Sequence, residues 1–354
     1  MKEFRIAVIP GDGAGQEVIP EARRVLARVG ETRGLRFAFD DYDWGAEYYF
    51  RHGRMMPPGA LEQLHSSDAI LLGAVGHPNI PDHVTLNGLL LPIRRAFDLY
   101  ANVRPAFLYP GVESPLAGRT GASIDMVVVR ENTEGEYAPV GGFLYAHQPE
   151  EVAIQTAVFT RRGVERIVRF AFELALRRGK KKRVTSITKS NAQAYGMVLW
   201  DRTFQSVAAE FPEVTTESLL VDAAAMNFIR RPESFDVVVA SNLFGDILSD
   251  LSAIIVGSLG LAPSANLDPS RRHPSMFEPV HGSAPDIAGQ GVVNPLAAIL
   301  SAAMMLDHLE AAGAARDIEA AVASVLAEGK VRTRDLGGNS TTREMTDAVI
   351  ERIR

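Results

Sequence analysis

The sequence predicts an α/β protein with a largely parallel sheet, and three observations carry that reading. Strand-like runs at 5–10, 68–75, 124–130, 183–188 and 235–241 alternate with helical patterns at 18–29, 164–178, 196–210 and 297–309, the order that lays helices against a parallel sheet. The run FDVVVASN (235–242) is continuous and β-branched, as in a buried strand. The stretch 164–178 sets Ile167, Val168, Phe170, Ala171, Leu174 and Ala175 on one side and arginines on the other, the pattern of a helix that packs by one face.

With 354 residues, 46% hydrophobic and 23% charged, the chain can bury one large core or two linked ones. Its most apolar stretches, such as AAILSAAMML (297–306), fall short of the roughly 20 residues of a membrane helix, so no membrane partner is expected. The start, MKEFRIAVIPGDG, enters a strand and a turn without a signal-sequence pattern, and a cytoplasmic protein is expected. The absence of cysteine closes disulfides, zinc–thiolate sites and thiol nucleophiles. A net charge of −6 leaves no electrostatic footprint for nucleic acid, and the basic run RRGKKKR (177–183) reads as a solvated helix end.

Gly- and Pro-rich GSLGLAPSANLDPS (257–270) and the region of Arg104 and Pro105 have the character of crossings between domains. They divide the chain into one domain from both ends, 1–102 plus 257–354, and a central domain, 103–256. Within the latter, 135–159 alternates strand-like runs with a Gly and Pro interruption. It reads as an antiparallel extension, either an intersubunit clasp or a plain surface hairpin.

Candidate chemistry is concentrated in a few motifs. In SNLFGDILSDL, Asp246 and Asp250 stand at i and i+4, where like charges repel, so a positive group is expected between them. They follow a strand's carboxyl end, where α/β proteins place ligands, and oxygen donors there suit Mg²⁺ or Mn²⁺; an acidic first turn favoured by the helix dipole is the alternative. Arg94 falls on a helix, Arg104 at a strand start and Arg130 at a strand end, with Tyr137 seven residues on. Their guanidinium groups either converge on carboxylates as planar forks or form separate ion pairs. Lys189 closes the strand RVTSITK and precedes Ser190 and Asn191, a helix-start pair.

Two further segments are less specific. GDGAGQE (11–17) follows the first strand, but Gln16 stands where a dinucleotide fingerprint needs glycine and no Walker lysine follows, so it reads as a tight turn. MFEPVHGSAPDIAGQGVVNP (276–295) holds Glu278, His281, Asp286 and Asn294 in what reads as a long loop, and such loops usually carry function. His281 is equally readable as a hydrogen-bonded structural histidine and Asp286 as a helix cap.

Taken in order, GDGAGQEV, LLPIRRAFDLYANVRP, VVRENTEGEY, TKSNA, VDAAAMNF, SNLFGDILSDL and FEPVHGSAPDIAG run over essentially the whole chain. Through them it resembles the pyridine-nucleotide-dependent β-decarboxylating dehydrogenases, the isocitrate/isopropylmalate dehydrogenase family. The resemblance implies that family's two-domain fold: a large mixed, mostly parallel sheet flanked by helices, distinct from a standard Rossmann fold, with the cofactor domain built from both chain ends. It implies that Arg94, Arg104 and Arg130 clamp the carboxylates of a 2-hydroxy acid, and that Asp222, Asp246 and Asp250 hold Mg²⁺ or Mn²⁺. Lys189 would help remove the hydroxyl proton, and Tyr137 would protonate the enol left after loss of CO₂. In the family the counterparts of Lys189 and Asp222 come from the neighbouring subunit, so a homodimer with shared active sites is implied.

The cofactor set implied by the resemblance is Asn191, Glu278, the loop His281, Gly282, Ser283 and Ala284, then Asp286 and Asn294. A carboxylate at 286 accepts hydrogen bonds from a ribose diol and repels a 2′-phosphate. NADP-using relatives carry Lys-Tyr where this chain has Asp286 and Ile287, so NAD is expected. A monovalent cation such as K⁺ is a further cofactor the resemblance leaves open.

For the substrate, GHPNIPDHVTLNGLLLPIR (76–94) and DWGAEYYFRHGRMMP (43–57) look most like the tartrate and D-malate branch. Asn87 stands where that branch usually has Trp, which enlarges the pocket and adds polar groups. Leu89, Leu90 and Leu91 offer an apolar wall that keeps 3-isopropylmalate as an alternative, followed by homoisocitrate and isocitrate. Apolar discrimination is worth only about 1–3 kcal/mol per methylene, so overlapping substrates are expected. A catalytically idle regulatory paralogue would belong to a different class and should have lost an essential group, yet the arginines, Tyr137, Lys189 and the aspartates are all present.

Overall fold

The computed structural model describes residues 2–354. Its strands are β1 (Lys2–Gly11), β2 (Leu35–Asp41), β3 (Ala69–Ala74), β4 (Ala101–Phe107), β5 (Asp125–Glu131), β6 (Gly141–Leu144), β7 (Val152–Gln155), β8 (Arg183–Thr188), β9 (Thr215–Leu220), β10 (Val237–Ala240), β11 (Pro263–Leu267) and β12 (Ser275–Pro279). The helices are α1 (Gly15–Arg33), α2 (Ala46–His52), α3 (Ala60–Leu64), α4 (Asp82–Thr85), α5 (Leu91–Ala96), α6 (Arg161–Arg178), α7 (Gly196–Ala208), α8 (Val221–Arg230), α9 (Asn242–Ile255), α10 (Leu296–His308), α11 (Ala312–Glu328) and α12 (Thr342–Ile350). A π turn, Leu86–Leu90, joins α4 to α5. The chain is α/β, with a mixed, mostly parallel sheet flanked by helices.

Two compact units form. The larger holds residues 2–99, 103–125 and 252–354, and the smaller 100–102 and 126–251. The segment Val103–Asp125 thus packs with the larger unit, whereas the sequence reading placed it in the central domain.

In the larger unit the strand order is β2-β1-β3-β12-β11-β4. The apolar centre of β1, Ile6 to Ile9, is fully buried because β1 pairs in parallel on both sides, with β2 and β3. β12 pairs in parallel with β3 and antiparallel with β11. Helix α10, LAAILSAAMMLDH, is buried on nearly every face, as a helix that is apolar all round must be. In the smaller unit β5-β10-β8-β9 are all parallel. Helix α6 begins at Thr160, whose side chain accepts from Gly163 N, and ends at Gly179 in the left-handed region, standard start and stop chemistry.

Several sequence expectations change. MFEP is strand β12 rather than loop, and β11 lies within the segment read as a crossing. Arg104 sits in the middle of β4, and α7 begins at Gly196, so Ser190 and Asn191 lie in a turn. Edge strands β2 and β9 carry mixed polar sequences, LRFAFDD and TTESLL, and gave no continuous apolar run. An edge strand buries less of itself, so its pattern is weaker.

Candidate active site

Parallel strands β5, β8 and β10 of the smaller unit deliver their carboxyl ends, and the residues that follow them, to one edge, the side on which open α/β sheets bind ligands. Arg130, at the end of β5, is 2% exposed. Its Nε and Nη2 donate to Asn242 Oδ1 at 3.0 and 2.7 Å, and its Nη1 donates to Asp246 Oδ1. Tyr137 Oη donates to the other oxygen, Asp246 Oδ2, at 2.7 Å, and its ring lies 5.2 Å from the Arg130 guanidinium. A positive group therefore does meet the first aspartate of the pair, and it is Arg130. Asp250, one turn further along α9, is exposed.

The chain around this cluster is tied tightly. Asn242 Nδ2 donates to Glu134 O at 3.0 Å, and Glu136 accepts from Ser241 Oγ at 2.9 Å and from Leu243 N at 3.2 Å. The loop that carries Tyr137 thus caps the first turn of α9, where helix N–H groups lack partners. Gly245 allows the helix to pass beside Arg130, since a Cβ there would lie 2.6 Å from Arg130 Cβ. Asn242 and Glu136 were missed by the sequence reading; the only signal was their adjacency to Asp246 and Tyr137.

Lys189 and Asp222 form a separate pair in the same unit, with Nζ donating to Asp222 Oδ1 at 2.7 Å. That hydrogen bond holds the Asp222 carboxyl below its usual value, and a position in the first turn of α8 favours the anion too. Asn191 is exposed in the turn after Lys189. Among the described residues, no hydrogen bond or ion pair joins Lys189 or Asp222 to the Arg130 cluster, and no three His, Asp or Glu side chains gather as a metal site. The donor set nevertheless fits part of a hard-cation site. Asp246 and Asp250 present carboxylate oxygens one turn apart, and a carboxylate that accepts from Arg130 and Tyr137 retains lone pairs for a cation.

In the larger unit, Arg94 on α5 is 3% exposed and its Nη2 donates to Glu278 Oε1 at 2.8 Å. Asn266 Nδ2 donates to the same oxygen at 2.8 Å. Glu278, expected at the cofactor, is therefore a partner of Arg94, expected at the substrate. Arg104 is buried on β4. Leu90 packs in a core cluster with Met55, Leu89 and Ile93. Asn87 is exposed on the π turn, with Nδ2 donating to His83 O at 2.8 Å and Oδ1 accepting from Arg95 Nη2 at 3.4 Å.

The segment after β12 folds as a set of turns. His281 Nδ1 lies 3.0 Å from Gly282 O while its Nε2 is buried without a partner among the described residues, and burial pushes its pKa down. Gly282 and Asp286 are exposed, Ser283 is buried, and Ala284 adopts a positive φ of 41°. Asn294 is 4% exposed; its Nδ2 donates to Asp335 Oδ2 at 2.9 Å, and its Oδ1 accepts from Leu296 N at 3.0 Å at the start of α10. Asp335, 41 residues later, carried no signal in sequence.

Comparison with known proteins agrees with this architecture. The sequence profile of the isocitrate/isopropylmalate dehydrogenase family matches residues 5–349. A probable tartrate dehydrogenase/decarboxylase of Bacillus subtilis (strain 168) is 51% identical over 356 aligned residues, 100% of this chain and 99% of that protein. The D-malate dehydrogenase [decarboxylating] of Escherichia coli (strain K12) is 51% identical over 360, again covering 100% and 99%. The crystal structure of isocitrate dehydrogenase from Methylococcus capsulatus superposes with a TM-score of 0.90 at 37% identity, covering 99% of both chains. On the match along its length and on the fold, this chain belongs to the isocitrate/isopropylmalate dehydrogenase family and is an enzyme.

Proposed function

We propose that the enzyme oxidises a malate-type 2-hydroxy acid, D-malate or tartrate, with NAD and a divalent metal ion, and with β-decarboxylation of the product. The observation that carries this reading is the Arg130, Tyr137 and Asp246 constellation, in a chain about half identical over its whole length to proteins named for tartrate and D-malate.

Arg94, Arg104 and Arg130 bind the substrate carboxylates, a task suited to planar guanidinium forks. Asn242 and Asp246 orient the guanidinium of Arg130, so little side-chain freedom is lost on binding. Lys189 takes the hydroxyl proton. Tyr137, held by Asp246, protonates the enol carbon after CO₂ has left. When bound, NAD supplies the hydride acceptor, and Mg²⁺ or Mn²⁺ on Asp246, Asp250 and Asp222 supplies Lewis-acid stabilisation of the enolate. The exposed carboxylate of Asp286 favours a ribose diol over a 2′-phosphate.

Lys189 and Asp222 serve a neighbouring subunit's site in this reading, which makes the active unit a homodimer. That, among the described residues, no hydrogen bond or ion pair joins them to the Arg130 cluster supports it. So does the β6–β7 hairpin, the candidate clasp, which exposes Phe143, Leu144 and Ile154.

The test is NADH formation by purified protein with Mn²⁺ or Mg²⁺, comparing kcat/KM for D-malate, the tartrate stereoisomers, 3-isopropylmalate, homoisocitrate and isocitrate. A lead for D-malate or a tartrate is expected. A clear lead for a bulkier acid overturns the assignment, as does turnover of none of these acids by metal-loaded protein.

A further inference from the structure

GDGAGQE lacks a phosphate-loop pattern, yet its residues reach three other loops of the larger unit. Asp12 is 5% exposed and, among the described residues, has no ion-pair partner within salt-bridge distance; its Oδ1 accepts from Ala46 N at 2.6 Å and its Oδ2 from Gly76 N at 2.8 Å. Ala14 N donates to Ser283 O at 2.7 Å. On the first turn of α1, Glu17 Oε1 accepts from Gly289 N and Oε2 from Gly291 N, the latter at 2.9 Å. The approach is close enough to require glycine twice. A Cβ on Gly13, at φ +51°, would lie 2.2 Å from Ser283 O, and one on Gly45, at φ +139°, 2.5 Å from Asp12 Oδ1.

The loops so held surround two cavities of about 690 and 740 Å³, which share Gly76, His77, Pro78, Asn79, Ser283 and Pro285. Those volumes are in the range of small-molecule and cofactor sites. A buried carboxylate is costly unless hydrogen-bonded, and here both oxygens are used to fix the backbone of loops 34 and 64 residues away.

We propose that Asp12 and Glu17 are positioning residues for a dinucleotide: they fix the loops 45–46, 76–79 and 283–291 in their binding conformation before the ligand arrives. The inference rests on reading 281–286 as the NAD loop. Preordering of this kind raises affinity because the ordering cost is met in the free protein.

The experiment measures the Kd of NAD and of NADP by calorimetry for wild type, Asp12→Asn and Glu17→Gln, together with the KM of the hydroxy acid at saturating dinucleotide, and Tm. Each amide keeps the shape but turns one acceptor into a donor facing a backbone N–H. The Kd of whichever dinucleotide the wild type binds is expected to rise roughly tenfold or more, the scale of a lost charge-assisted hydrogen bond, while the hydroxy-acid KM stays near wild type. Glu17→Gln, on a partly exposed helix turn, keeps the test open if Asp12→Asn folds poorly. An unchanged Kd overturns the inference, as does a Kd that rises only in step with KM and with loss of Tm. Wild type that binds neither dinucleotide overturns the NAD reading and the inference with it, and the wild-type titration alone distinguishes that outcome.

Discussion

Arg130 illustrates how one residue organises a site. Burial of its guanidinium is tolerable because Asn242 and Asp246 satisfy it, and breaking such a buried arrangement is expensive. Gly245 is the other half of the same design. In an exposed helix Gly→Ala would gain up to about 1 kcal/mol, but here the new Cβ meets Arg130 Cβ, Cγ and Cα at 2.6, 2.7 and 3.1 Å, backbone and near-backbone atoms that cannot swing away. Overpacking of that kind costs about 1–3 kcal/mol. Gly245→Ala is therefore expected to lower Tm and, by shifting Arg130, to lower kcat/KM roughly tenfold or more; unchanged steady-state kinetics would show that the guanidinium position is not critical.

Helix α10 shows two electrostatic effects in competition. His308 is its last residue, where the helix dipole favours a cation by about 0.3–1 kcal/mol. Burial and the nearby Arg271 oppose this and bring the pKa from 6.5 down to about 4, so the ring is neutral beside Phe277, with ring centroids 5.7 Å apart. The unfolded chain binds the proton first, so His308's contribution is intact above pH 6.5 and is lost as pH falls from 6.5 toward 4. The loss amounts to about 3 kcal/mol. Denaturant midpoints across that range should fall less steeply in His308→Gln than in wild type, and parallel curves would refute the assignment.

At the scale of the whole molecule, the β6–β7 hairpin is the outstanding exposed feature. Phe143 is 69% exposed, Leu144 55%, Tyr145 63% and Ile154 54%, and an isolated two-stranded hairpin is marginally stable in water. A contiguous apolar surface of this kind marks an interaction site. In the proposed homodimer these side chains are covered, and Lys189 and Asp222 complete the neighbour's site. Phe143→Asp is then expected to shift sedimentation from dimer to monomer and to abolish turnover in parallel. A monomeric variant with full activity would refute shared sites.

Local regularities determined much of this protein in advance. Continuous β-branched runs identified β5, β8 and β10, a one-sided apolar pattern identified α6, and strand ends located Arg130 and the segment of Lys189, because period and turn chemistry are encoded within a few neighbouring residues. The ordered motifs also carried the family. What only tertiary structure decided were partners distant in sequence: Arg94 with Glu278, 184 residues apart, Asn242 with Arg130, 112 apart, and GDGAGQE as a frame for other loops rather than a simple turn. Those pairings depend on β12 lying beside β3 and on β10 lying beside β5. Strand adjacency is set by how the buried faces pack together, and no short window of sequence contains it.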